Sequence, residues 1–144
     1  MENKKYTFED FVHIIEELRG EHGCPWDKEQ THSSLKTCMV NETQEALEGI
    51  DIYEQTGDAD NLCEELGDVM LQVMLHSQIA KEEGIFTIDD VIQGICEKMI
   101  RRHPHVFGDQ KAVNAEQALA SWEEIKRREK LEKEKKNKKK GKMS

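Results

Sequence analysis

At 144 residues, with 36% hydrophobic and 35% charged residues and two prolines, the chain can build one real core, and its composition favours amphipathic helices over strands. The net charge of −9 is divided unevenly: residues 126–144 carry 11 Lys or Arg against 3 Glu, a net of +8, while residues 1–125 carry 10 against 27, a net of −17. A body that acidic repels nucleic acid and needs divalent cations to escort a phosphate ligand, no apolar run approaches the roughly 18 residues of a membrane span, and four scattered cysteines offer no C-x-x-C pair, so a cytoplasmic, membrane-free protein is expected.

Five helices are expected, in an all-α helical bundle. The first starts at Thr7, whose spacing to Asp10 is a capping signal, and carries Phe8, Phe11, Val12, Ile15 and Leu18 before fading at Gly20–Gly23. The stretch GCPWDKEQTHS reads as a loop, with Trp26 anchoring it to the bundle. The second helix runs from about Ser33 to Gln55, with Leu35, Cys38, Met39 and Ala46 toward a core, and Gly57 ends it. The third spans roughly Ala59–Glu83 and is apolar nearly all round over 69–75 except at Gln72. Cys38 and Cys63 read as small buried thiols, Met70, Met74 and Met99 as core filler, and His76 as a core or interface histidine.

A second capping signal, Thr87 to Asp90, opens a fourth helix expected to bury Val91, Ile95 and Met99 and to stop before Pro104. His103 and His105 flank that proline and shape the turn, and VFGDQKAV reads as loop. Asn114 caps a fifth helix through Trp122 and Ile125. Beyond residue 128 the segment is rich in Lys and poor in apolar residues. Residues 129–144 are therefore expected to form a disordered, solubilising tail on a domain spanning 1–128.

Glu42 falls between the core-facing positions of the second helix, where an unpaired carboxylate is costly. Glu42 and Glu45 are three apart, as are Glu65 and Asp68 on the next helix, so each pair shares a helix face. Two antiparallel neighbours would bring four acids together, and such a cluster either takes up protons or holds a cation. Oxygen-only ligands select Mg²⁺, with Mn²⁺ as a substitute. A di-iron centre does not fit, since no His follows Glu45 or Asp68 at three residues. Lys98 and Arg102 are four apart on the fourth helix, and Trp122 and Lys126 repeat the spacing on the fifth; Arg and Lys there suit phosphate oxygens.

Through GCPWDKEQTH, NETQE, EELGDVMLQV, EKMIRRHPHVFGD and SWEEIK, residues 7–128 resemble the MazG family of nucleoside triphosphate pyrophosphohydrolases. Its signature, E-x-x-E followed by E-x-x-D, falls on Glu42, Glu45, Glu65 and Asp68. The resemblance implies hydrolysis of a nucleoside triphosphate to monophosphate and pyrophosphate. It also implies phosphate contacts for Lys98 and Arg102, nucleotide-side roles for Trp122 and Lys126, and a homodimer or a pair of dimers. Asn41 stands where many members have Glu, and the chain resembles the first of the two domains that some members carry in tandem. A catalytically weak nucleotide-binding or regulatory module and a structural dimerisation bundle are the alternatives.

Overall fold

The computed structural model describes residues 3–143, and among these the chain is all helix and turn, without strands. Local chemistry sets most boundaries. Helix α1 (Phe8–Leu18) begins with a reciprocal cap: the Asp10 N–H donates to the Thr7 hydroxyl at 3.1 Å, and the Thr7 N–H to the Asp10 carboxylate at 2.9 Å. Helix α2 (Pro25–Glu29) and helix α6 (Pro104–Phe107) are single turns inside segments expected to be loop. In both, a proline at the first helical position supplies a ready-set φ and needs no hydrogen-bond acceptor. Helix α3 (Lys36–Thr56) closes on Gly57 in the left-handed region, φ 79°, and helix α4 (Asp60–Glu82) follows. Helix α5 (Ile88–Arg102) is capped by the Thr87 N–H donating to Asp90 at 2.8 Å, and α7 (Ala115–Met143) by the Asn114 side chain accepting from the Gln117 N–H at 2.9 Å.

The chain divides into two compact units within α5, after Val91. In the first, the three-residue link from α3 to α4 makes them an antiparallel pair, and α1 lies against α4. Ile15, Leu35, Met74, Leu75 and Ile79 form the buried core, with Phe8, Phe11, Val12, Leu18 and Leu71 packed on it. Where α3 passes α4, Gly49 is buried: a Cβ there would stand 3.1 Å from the Leu62 Cα, so the missing side chain lets the two backbones approach.

Arg19 ties this unit together. Its side chain is 6% exposed, and its guanidinium donates to both Glu82 oxygens at 2.9 and 3.0 Å and to the carbonyls of Asp27 and Gln30. Arg19→Ala removes the donor to two carbonyls and leaves Glu82 with water and Gln78, and is expected to destabilise the fold by about 2 kcal/mol, read as a lower urea midpoint at unchanged slope.

His32 and His76 stack with their ring planes 6° from parallel and their Nδ1 atoms 2.8 Å apart, which requires a proton on one of the two nitrogens. Burial, and then the nearby His32, hold His76 below the usual histidine range. A depressed imidazole adds stability above its unfolded pKa near 6.5 and withdraws it as pH falls through the folded value. Thermal unfolding of the wild type is thus expected to shift down on acidification below pH ~6.5, with His76→Gln flattening that limb.

Several sequence expectations are corrected. Val91 and Ile95 are exposed and Met99 is only half-buried, because periodicity identifies the apolar side of α5 but not what covers it. Cys63, Trp26 and Met70 are likewise exposed. Residues 129–143 of the expected tail are helical as a continuation of α7, and Ser144 lies outside the described residues. They contain no proline and are rich in helix-forming Lys and Glu, and on the preceding turn Glu124 pairs with Arg127 and Arg128 at 2.8 and 3.2 Å. Residues 130–141 of this extension are exposed.

Candidate active site

The helical repeat places Glu42 and Glu45 on the side of α3 that faces α4, and Glu65 and Asp68 on the side of α4 that faces back. One oxygen from each of the four lies within 4.8 Å of all the others. Glu42, Glu65 and Asp68 are half-buried and Glu45 is exposed. Glu42 Oε2 and Glu65 Oε2 are sealed from solvent without a hydrogen-bond partner. No Lys or Arg forms an ion pair with any of the four among the described residues.

Uncompensated negative charge and burial favour protonation of two of these acids. Glu65 is raised to about 7, first by burial and then by the carboxylates of Glu45, Asp68 and Glu64. Glu42 is raised by burial and then by Glu45 and Asp68. Two sealed carboxylate oxygens without donors, within reach of two more, fit a hard divalent cation and no organic cofactor.

The cations of the second unit also converge. Lys98 and Arg102 of α5 and Lys126 of α7 line one groove of about 540 Å³. Trp122 lies one turn before Lys126 and does not line the groove. Its Nε1 is buried without a partner, and the Lys126 Nζ sits 5.9 Å from its ring centroid. The structure adds two residues that spacing did not single out, Arg101 and Glu129. Glu129 accepts from Arg101 Nε at 2.6 Å and from Arg102 Nε at 3.0 Å, and these arginines hold it below the usual carboxylate range. The one sequence signal was its position three residues after Lys126, on the same face of α7.

The model of one protein family, described as the MazG nucleotide pyrophosphohydrolase domain, matches residues 30–107, over half of the chain and including all four acids. The chain belongs to the MazG family. Among curated MazG relatives, a nucleoside triphosphate pyrophosphohydrolase/pyrophosphatase of Thermotoga maritima is 49% identical over 90% of this chain and 48% of its own length. A nucleoside triphosphate pyrophosphohydrolase of Escherichia coli K12 is 45% identical over 83% of this chain and 44% of its own. The uncharacterized protein YabN of Bacillus subtilis is 58% identical over 87% of this chain and 25% of its own. The chain thus spans a quarter to about half the length of these relatives. A crystal structure of a mazG-related protein from Thermotoga maritima covers 83% of this chain and 98% of that one with a TM-score of 0.64 at 29% identity, which places the helices in the MazG fold. No helix among the described residues is long and apolar enough to cross a membrane.

Proposed function

We propose that this MazG domain hydrolyses nucleoside triphosphates to the monophosphate and pyrophosphate, with Mg²⁺, or Mn²⁺ in its place, held by Glu42, Glu45, Glu65 and Asp68. One observation carries the reading: four carboxylates with oxygens within 4.8 Å of one another, two of them sealed and unpartnered. A divalent cation bound there would neutralise triphosphate charge and lower the pKa of an attacking water. The chain's own part is to keep the four acids apart from competing cations and to offer a glutamate oxygen for the water's proton.

Lys98 and Arg102 take phosphate oxygens as negative charge passes to the leaving pyrophosphate, while Trp122 and Lys126 serve the nucleoside side. The active form in this proposal is a homodimer or a pair of dimers in the cytoplasm. Val40, Leu47 and Ile50 of α3 and Leu66, Met70 and Val73 of α4 are exposed, more apolar surface than an isolated helical pair usually leaves in water, and a second copy of the chain would cover it.

The test is pyrophosphate release from a panel of nucleoside triphosphates with Mg²⁺ and with a chelator. Metal-dependent release supports hydrolysis, and its absence on every member of the panel ends the proposal. The partial span of the chain against its relatives keeps a second reading in play, a nucleotide-binding regulatory module. Nucleotide-dependent thermal stabilisation without pyrophosphate release identifies it.

A further inference from the structure

Arg101 and Arg102 are consecutive on α5, and consecutive helical residues diverge by about 100°, so their side chains do not normally share a target. Here both reach the same carboxylate on α7, each through Nε, at 2.6 and 3.0 Å. A guanidinium bound at Nε keeps its outer Nη1–Nη2 edge for a second oxyanion. Among the described residues neither arginine spends that edge on a protein acceptor. Arg102 is 14% exposed and Arg101 51%, so without a carboxylate to gather them the second would swing into water. Lys98, Lys126, Lys130, Glu132, Lys133 and Lys136 also line the same groove.

We propose that Glu129 is a positioning residue that draws Arg101 and Arg102 together so that their outer edges jointly grip the phosphate chain of the substrate. This deepens the hydrolytic reading by adding Arg101 to the anion site and Glu129 behind it. The sign of the effect separates it from simple electrostatics. A carboxylate in a cationic groove should repel a polyphosphate, so its neutralisation would strengthen binding if charge alone mattered. A carboxylate that orients two forks does the opposite when removed, because the guanidiniums repel each other and lose the bidentate geometry.

The experiment measures calorimetric binding of inorganic tripolyphosphate to the full chain in chelator, which keeps the acidic centre and turnover out of the readout. Glu129→Gln is expected to weaken binding about tenfold, Glu129→Asp to fall between it and wild type, and Arg101→Met to weaken binding to a similar degree as Glu129→Gln. Arg101 is exposed, so its replacement leaves folding intact even if the Glu129 variants melt. Binding by Glu129→Gln or by Arg101→Met equal to or tighter than wild type overturns the proposal. Loss of pyrophosphate release in the wild type with these binding shifts preserved would instead remove hydrolysis and leave the anion grip standing.

Discussion

Glu65→Gln is expected to cut metal-dependent pyrophosphate release by on the order of 10³-fold while making the metal-free protein more stable at alkaline pH. The loss follows from the geometry: Glu65 provides a sealed oxygen in a set of four within 4.8 Å, and an amide there contributes a neutral oxygen where a charged one is needed. The gain follows from linkage. A carboxyl raised from 4.5 to about 7 binds its proton more tightly when folded, so its contribution is complete at low pH and is lost as pH rises through 7. Thermal melts in chelator should therefore fall as pH rises from 4.5 to about 7 and level off by pH 8 in the wild type, and change much less in Glu65→Gln. Mg²⁺ should restore the wild type alone, with release of protons at pH 7 detectable by calorimetry in buffers of different ionisation enthalpy. A wild-type melt unresponsive to Mg²⁺ across that range would remove the proposed cation from the cluster.

Arg102→Leu is the second substitution with a large expected effect, about 10²–10³-fold in kcat/KM for pyrophosphate release. Arg102 is the less exposed of the two arginines in the groove, and its fork can hold two oxygens where Lys98 and Lys126 offer point charges. Arg102→Lys should recover only a minor part of the activity, because it restores charge without the planar pair of donors. Equal activity in Arg102→Lys and wild type would show that field, not geometry, is what the groove supplies.

Capping and spacing made much of this legible in the sequence. The Thr7–Asp10 and Thr87–Asp90 caps, the stop at Gly57 and the break before Pro104 are local rules, and the structure keeps each of them. The acids were visible because two three-residue spacings on adjacent helices converge when those helices pair. Other features join residues far apart in sequence, where no periodicity reaches: Arg19 with Glu82 and His32 with His76. Glu129 escaped for a related reason, since its neighbours read as a solvated charge run until α5 supplied the arginines that give it a target. Exposure was the weakest inference. Val91 and Ile95 have the pattern of core residues, and pattern does not say which surface arrives to cover them.

Gly49 follows Glu45 by about one turn of α3, and a Cβ there would stand 3.1 Å from the Leu62 Cα, so a larger residue would push α3 from α4 beside the acids. Ionic radius then becomes the discriminating variable: calcium, which takes longer oxygen bonds than magnesium, would have to prise the rods apart, so preference for the smaller ion would originate two turns away from Glu42.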